Sequence, residues 1–386
     1  MIKAYVITID ELDDAEYAYK QFEKQLKAQG ALLTNTIGIL SCHADFLQSP
    51  VLPRIVESLP FQVVGTTTVL NGVNAGGDYY YLSLQILTSD DVEFKIEKTE
   101  ELFVDNFEKE IAKTVTKILR ESPEQPKLFL AYSPLKNDIS CDSIIYEIDK
   151  TTKGDIPIFG LAAVDHTPHY EFSQTILGST GYRNSLILVS LTGNVHPRFT
   201  IASVKEENIK KEKAIITKSY RNLLQEVNGL PVVTYLESIG LSKEDVQSGL
   251  GVIPFIVNYD SKLELAARAV FGLTPENWAI CGGEVPVNTV LSIGNISQND
   301  VIETSLKVVK EALKEKPQVM LLYSCMARYL VQIYDNKEEF NSLKKEIGNQ
   351  VNFLFSYSGG EICPVIREDG KLINHIHNYS LVILSL

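Results

Sequence analysis

The chain has 386 residues, of which 45% are apolar and 22% are charged, and its formal net charge is −13. This length exceeds what a single hydrophobic core usually supports, so we expect two domains. The acidic balance argues against nucleic acid or an anionic membrane as a partner, because phosphate binding requires a basic surface. No apolar run approaches the ~20 residues of a membrane span. The N-terminal segment turns acidic too early for a secretory signal. We therefore expect a cytoplasmic protein.

The first half of the chain is predicted to alternate helices with strands. The predicted elements are a helix at 13–30, a strand–helix–strand unit at 37–68, strands at 78–87 and 92–96 around a turn, a helix at 104–120, a second unit at 127–160 and a strand at 184–191. Units of this kind favour parallel crossovers, and the alternating strands add antiparallel pairs, so the sheets should be mixed.

The composition shifts in the run of charges at 205–213, which we interpret as a solvated linker or turn near a domain boundary at about residue 200. Beyond it, the pattern predicts helices near 219–226, 231–239 and 298–315, and strands near 252–258, 266–271 and 372–386.

One sequence pattern occurs twice. An apolar run stops at Ser41-Cys42-His43-Ala44, and another stops at Ser324-Cys325-Met326-Ala327. Each is followed by a polar, helix-like stretch and a second apolar run. The predicted fold class is therefore α/β, with two domains of mixed sheets, 1–200 and 201–386, and a partial internal duplication. The loops that leave strand ends in such units are where small ligands are usually bound.

The sequence lacks several motifs of large enzyme classes. GxGxxG, GxxxxGK[ST], GxSxG and HExxH are all missing, which argues against standard nucleotide-dependent chemistry, α/β-hydrolase chemistry and HExxH-type zinc chemistry. The five cysteines are odd in number and widely spaced, which indicates reduced thiols.

The second copy of the repeated pattern carries the stronger candidate site. Cys325 and Arg328 share one face of a helix start, and Glu361 follows the exit of the next strand. An arginine and a glutamate at strand ends suit a zwitterion, because the guanidinium pairs with a carboxylate and the glutamate with an ammonium. The alternative is that Arg328 and Glu361 simply pair with each other.

Other interpretations stay open at this stage. His375 and His377 point to the same side of a strand and could bind a metal with Glu361, and Cys325 with His377 could form a nucleophile pair. In the first half, Gly65 and Thr66 offer a backbone N–H and a hydroxyl to a polar ligand, or simply form a tight turn.

Several segments together resemble the FIST family. Residues 61–67 and 156–160 resemble strand exits of FIST N domains, and residues 232–241 resemble the start of a FIST C domain. Residues 322–328, 355–362 and 377–380 are similar to the "C..R", "YGE" and "HN.T" signatures, although Ser358-Gly359-Gly360-Glu361 is one residue longer and Ser380 replaces the usual threonine.

The resemblance implies a sensory module in signal transduction, with amino acids proposed as ligands. Some members are similar haem proteins that respond to nitric oxide and regulate a kinase, and here His377 or Cys363 could serve as the axial ligand. The 386 residues contain no recognisable output domain, so the expected signal passes to a separate partner, such as a kinase.

We therefore predict a cytoplasmic sensor that binds a small polar metabolite, most plausibly an amino acid, without catalysis and without a metal. The predicted ligand-binding residues are Ser324, Cys325, Arg328, Glu361, His377, Asn378, Gly65 and Thr66. The alternatives are a haem-binding nitric oxide sensor and a thiol-dependent hydrolase or transferase that uses Cys325.

Overall fold

The computed structural model describes residues 2–136, 138–167, 169–247, 253–259, 265–332, 335–366 and 370–386. These residues form helices and four sheets, several of which contain both parallel and antiparallel pairs. The predicted mixed α/β class is confirmed. Among the described residues, no helix is both long and apolar enough to cross a membrane.

Three successive units of the chain repeat one order of elements. The first unit comprises β1 (Lys3–Ile9), α1 (Ala15–Ala28), β2 (Asn35–Cys42), α2 (Val51–Val56), β3 (Val63–Thr67), β4 (Asn71–Val73), β5 (Gly76–Asp78) and β6 (Leu82–Ser89). The second unit comprises β7 (Val92–Lys98), α3 (Phe107–Glu121), β8 (Leu128–Ser133), α4 (Cys141–Thr152), β9 (Ile158–Ala162), β10 (Thr175–Leu177), β11 (Thr180–Tyr182) and β12 (Ile187–Gly193).

The third unit contains a long insertion. It starts with β13 (Arg198–Ala202) and continues after the insertion with α7 (Gln298–Lys314), β22 (Val319–Cys325), α8 (Met326–Val331), α9 (Glu338–Ile347), β23 (Asn352–Ser358), β24 (Glu361–Ile366), β25 (Leu372–His377) and β26 (Leu381–Ser385). The insertion contains β14 (Ile209–Tyr220), β15 (Leu223–Val227), β16 (Leu230–Pro231), α5 (Val232–Ser238), α6 (Lys243–Gln247), β17 (Phe255–Asn258), β18 (Leu265–Arg268), β19 (Val270–Leu273), β20 (Ala279–Cys281) and β21 (Val290–Gly294).

Each unit builds a six-stranded sheet in the same order. The three orders are β1-β6-β2-β3-β10-β11, β7-β12-β8-β9-β24-β25 and β13-β26-β22-β23-β4-β5. In each sheet the strand pair of the strand–helix–strand unit is parallel, as predicted. The last two strands always come from another unit, so each unit donates its hairpin to a neighbouring sheet. The duplication detected in the sequence is thus part of a threefold repeat.

The three sheets pack their inner faces together around one shared apolar core. This core contains Ile39 and Val64 from the first sheet, Leu130 from the second, and Leu321 and Leu354 from the third. Each outer face is covered by the helices of its own unit, α1 and α2, α3 and α4, or α7 and α9. Strands between two apolar layers are buried on both sides, which explains their nearly continuous apolar sequences.

The strand exits of the three units are joined by hydrogen bonds. Val164 N donates to Thr67 O over 3.3 Å, and Gly359 N donates to Ala162 O over 2.9 Å. Thr68 Oγ1 donates to Tyr357 O over 2.8 Å. The loops predicted to hold a ligand therefore meet at one end of the shared core.

The insertion forms the fourth sheet and packs over the third unit. Its apolar residues Ile256, Ala267 and Ala269 belong to one buried cluster with Cys325 and Tyr379. Arg268 Nη1 donates to Ile376 O over 3.0 Å, and Ala269 N donates to Asn378 Oδ1 over 3.2 Å. The fourth sheet therefore lies directly against the predicted site.

Two predictions within the insertion differ from the structure, the first of them only in part. The charged run at 205–213 is not a linker over its full length, because β14 begins at Ile209, and its charged side chains are exposed. The helix predicted at 219–226 is a hairpin that turns at Arg221, whose φ of 53° is left-handed, and continues as β15. Leu224 is fully buried in the fourth sheet, so tertiary pairing overrides the local helical pattern.

Long-range pairing also changes three other strand predictions. The strands predicted at 78–87 and 92–96 do not form a hairpin, since β6 lies inside the first sheet and β7 at the edge of the second. The single strand predicted at 372–386 is two strands in different sheets, separated at Tyr379, whose φ is 55°. The start of the strand predicted at 252–258 lies outside the described residues. The domain boundary near residue 200 stays a prediction.

Candidate ligand-binding site

Arg328 lies at the start of α8 and is completely buried. Its Nε and Nη2 donate to Glu339 Oε1 over 3.0 and 2.9 Å. Its Nη2 also donates to Val301 O over 2.8 Å and to Ser305 Oγ over 2.6 Å. The guanidinium is thus occupied by groups of the chain itself, and its ionic partner is Glu339 rather than Glu361.

Glu339 collects the other polar side chains around this pair. Its Oε2 accepts hydrogen bonds from Ser324 Oγ over 2.9 Å and from Tyr357 Oη over 3.0 Å. Gln332 Nε2 donates to Tyr357 Oη over 2.8 Å, and Gln332 Oε1 accepts from Glu339 N over 2.8 Å. A buried ion pair with all its hydrogen bonds satisfied fixes the position of α8 and α9.

Glu361 is the second buried carboxylate of the third unit, and it has different neighbours. Ser358 Oγ donates to Oε1 over 2.5 Å, and Ser380 Oγ donates to Oε2 over 2.6 Å. The side chain is fully buried. Burial raises its pKa to about 8, although the two serine hydrogen bonds and the charge of Arg328 favour the ionised form.

Cys325 is the residue before α8 and is 1% exposed. Its neighbours in the parallel strand pair include Ser358, whose hydroxyl donates to the Glu361 carboxyl group. Burial, and next the negative charge of Glu361, hold the pKa of this thiol well above its usual range. Tyr379, also completely buried, interacts electrostatically with Cys325, and its hydroxyl has no hydrogen-bond partner among the described residues.

His377 and Asn378 already form hydrogen bonds with other groups of the chain. His377 Nε2 lies 2.9 Å from Cys363 O, and burial lowers the pKa of this imidazole to about 3. Asn378 Nδ2 donates to His377 O over 3.0 Å, while its Oδ1 accepts from Ala269 N in the fourth sheet. Both residues therefore connect β25 to neighbouring backbone.

Gly65 and Thr66 lie in the first unit. A Cβ atom at Gly65 would lie 1.8 Å from Leu40 O, so the glycine allows β2 and β3 to approach. Thr66 is buried, and its Oγ1 has no partner among the described residues. No hydrogen bond among those residues joins Gly65 or Thr66 to Glu361. The structure thus groups Cys325 with Glu361, and separately Ser324 with Arg328.

The residues suggested for haem or a metal do not provide a free ligand. The Nε2 atom of His377 is already bonded to Cys363 O, and Cys363 is completely buried in the shared core. The described residues contain no group of three or more His, Cys, Asp or Glu side chains arranged to hold a metal ion. Neither His377 nor Cys363 therefore fits as an axial ligand.

Sequence reasoning missed four residues of the hydrogen-bonded network around Arg328. They are Ser305, Gln332, Glu339 and Tyr357. Glu339 sits beside Glu338 in the first turn of α9, where acidic residues are ordinary helix-start residues. Tyr357 was part of a recognised segment but carried no predicted role. The one available signal was Phe340, next to Glu339. A phenylalanine in this turn is expected to face the apolar core, so part of the turn should be buried.

Comparisons with known proteins give two family matches. The FIST N domain matches residues 36–230, and the FIST C domain matches residues 230–364. No curated protein matches the sequence.

Solved structures of cyanuric acid hydrolases are similar only at a low level. One, described as an evolutionary innovation by structural concatenation, has 10% identity, covers 77% of this chain and 100% of its own, and gives a TM-score of 0.32. The other, from A. caulinodans, has 8% identity, covers 100% of this chain and 99% of its own, and gives a TM-score of 0.37. At these values neither likeness carries an argument about this chain.

Proposed function

Because this chain belongs to the FIST family, whose domains are generally considered sensory, small-ligand-binding signalling domains, we propose that it senses a small polar metabolite with an ammonium group, such as an amino acid. The proposed contact is Glu361, supported by Ser358 and Ser380. A separate partner protein, such as a kinase, would receive the signal. We keep the cytoplasm as the proposed location, in agreement with five free cysteines.

The observation that carries this proposal is the state of the Glu361 carboxyl group. It is fully buried, and it accepts hydrogen bonds from two neutral hydroxyl groups, those of Ser358 and Ser380. Arg328, whose charge acts on this carboxyl group, already pairs with Glu339. An ionised carboxylate in such a place is costly unless a cation compensates it. A ligand ammonium would supply that charge.

The fourth sheet offers a route from binding to signalling. It covers Cys325 and Tyr379 and is fastened to β25 through Arg268 and Asn378. A ligand that enters beside Glu361 has to displace this cover or fit beneath it. A ligand that binds one position of the fourth sheet more tightly than another shifts the population between them, which a partner can detect.

A binding role rather than a catalytic one is proposed for Cys325. A nucleophilic cysteine needs a low thiol pKa, whereas burial and the nearby Glu361 raise this one. The imidazole of His377, suggested as its base, has its Nε2 at Cys363 O.

The experiment is calorimetric titration of the full chain with a panel of amino acids and amines, supported by thermal shift. We expect binding that is lost in Glu361→Gln and retained in Asp149→Asn, a control at a half-buried carboxyl group whose pKa is also raised, to about 6. Since the ionised form of Glu361 binds the ammonium, affinity should rise about tenfold per pH unit up to a pH of about 8. No binding by any member of the panel, or equal binding by Glu361→Gln, would refute the proposal.

A further inference from the structure

The threefold repeat places one edge strand at the same position in each sheet, namely β1, β7 and β13. A free edge strand exposes unpaired N–H and C=O groups to which another chain can add. The three edges differ in how they are protected against such pairing.

The edge of β1 is covered by side chains. Gln25 of α1 bonds Thr8 in both directions, with Nε2 to Thr8 O at 2.8 Å and Thr8 N to Oε1 at 3.1 Å. Asn352 Nδ2 donates to Ala4 O over 2.7 Å. These amides occupy the groups that an added strand would need.

The edge of β7 is protected by charge. Lys95 Nζ lies 2.6 Å from Glu121, and Glu97 accepts from Lys117 Nζ over 2.8 Å. Together with Glu93 and Lys98, they place charged side chains along most of this strand. Charged edge strands resist pairing with another chain.

The edge of β13 has neither form of protection. Its only charged residue is Arg198, at its start. In the described part of the chain, β13 pairs with β26 alone, and no side chain bonds to its backbone. Thr200 Oγ1 is buried there with no hydrogen-bond partner among the described residues.

A groove of about 690 Å³ lies beside β13, between the end of α7 and the hairpin of β24 and β25. Its apolar lining includes Phe199, Ile201, Val365 and Leu372, together with Ile366, which is 74% exposed. Among the described lining residues, Glu311 and Glu315 are acidic and Arg198 is basic, and Arg198 lies 3.3 Å from Glu315. The groove is therefore apolar with an acidic border.

We propose that this groove binds an extended peptide segment of a partner protein, which adds to the free edge of β13 as a further strand. Added strands gain affinity from backbone hydrogen bonds and specificity from alternate side chains. The apolar lining calls for alternating apolar residues, and the acidic rim calls for a lysine or arginine at the end that meets Glu311. This surface is independent of Glu361, so it can be tested whether or not the proposed ligand site holds.

The test is selection of random peptides of about nine residues, long enough to span this edge, on the full chain. We expect enriched peptides with alternating apolar residues and a terminal basic residue. Binding should weaken at least about tenfold in Ile366→Lys and stay unchanged in Tyr146→Lys, a control at another exposed apolar position, 64% exposed. Amide hydrogen exchange of residues 198–202 should slow when the peptide is bound.

Three outcomes would overturn the proposal. They are no enrichment, enriched peptides that bind Ile366→Lys as tightly as the unmodified chain, and binding without protection of residues 198–202. Sedimentation of the chain without peptide tests for a different occupant of this edge, a second copy of the chain. A dimer that Ile366→Lys dissociates would show that the edge pairs with a second copy of this chain instead.

Discussion

Arg328 Nη2 and Glu339 Oε1 lie 2.9 Å apart, and neither side chain is exposed to solvent. The pair spans the loop between α8 and α9, the two helices of the third unit's crossover. Water cannot compensate either charge if the other is removed, so the two residues depend on each other.

Removal of the arginine alone should therefore be costly. We expect Arg328→Met to lower the free energy of unfolding by about 3–5 kcal/mol, because Glu339 stays buried without a cation. The double variant Arg328→Met, Glu339→Gln should recover part of this loss. Arg54→Met, which breaks the exposed pair with Glu16, is the control and should cost far less, because water screens exposed charges. Chemical denaturation measures all three, and equal losses for Arg328→Met and Arg54→Met would contradict the assignment.

The raised pKa of Glu361, about 8, predicts a pH dependence of stability. An unfolded glutamate titrates near a pKa of about 4.3. Between these values the folded chain holds a proton that the unfolded chain has lost, so stability falls as pH rises, by at most about 1.4 kcal/mol per unit. Glu361→Gln should remove this contribution, and urea unfolding at several pH values measures the difference. Asp149→Asn should remove a slope of the same sign that ends near pH 6.

His377 predicts the opposite slope on the acid side. Its pKa is lowered to about 3 by burial, whereas an unfolded histidine has a pKa of about 6.5. As pH falls through this window the unfolded chain binds the proton first, so stability is lost. The free-energy advantage of the unmodified chain over His377→Gln should shrink as pH falls from about 6.5 to about 4.

Gly65 predicts a steric effect on a parallel strand pair. A Cβ atom there would lie 1.8 Å from Leu40 O, and the equivalent Gly160 shows 1.9 Å from Ala131 O. Gly65→Ala should destabilise the chain by at least about 1–3 kcal/mol, because β2 and β3 must separate. Gly272→Ala, where nothing lies within 4 Å of the added carbon, is the matched control. Thermal denaturation of both variants decides, and similar midpoints would show that the strands adapt.

The thiol of Cys325 should be unreactive in the native chain. It is 1% exposed and its pKa is well above the usual range. We expect iodoacetamide to label it at neutral pH only at the rate of local or global opening. Rapid, selective labelling that disappears in His377→Ala would instead support the thiol-enzyme alternative.

The local units were predictable because each carries its own signal. The apolar runs 37–40 and 319–323 end abruptly at small polar residues, and both became strands of parallel pairs. The exchange of hairpins was not predictable. Whether Asn71 pairs beside Ser356 or within its own unit depends on contacts between residues 285 positions apart in the chain (356 − 71 = 285), and no local pattern records them.

The candidate site was likewise predictable only in part. Glu361 and Cys325 were selected from sequence, and the structure connects them through Ser358, which pairs with Cys325 in the sheet and donates to Glu361. The partner of Arg328 was not, because Glu339 is indistinguishable in sequence from an exposed acid at a helix start. Burial of a single carboxylate is a property of the packed layers, so it emerges only when α9 is placed on the third sheet.

The three exchanged hairpins have a mechanical consequence. The first unit completes the third sheet, the third completes the second, and the second completes the first, so the units form a closed ring of dependences. No unit contains all six strands of a sheet. An isolated unit would therefore lack two strands of its own sheet, and its exchanged hairpin would have no sheet to pair with. A structural change at the strand exits of one unit should therefore affect both neighbouring units.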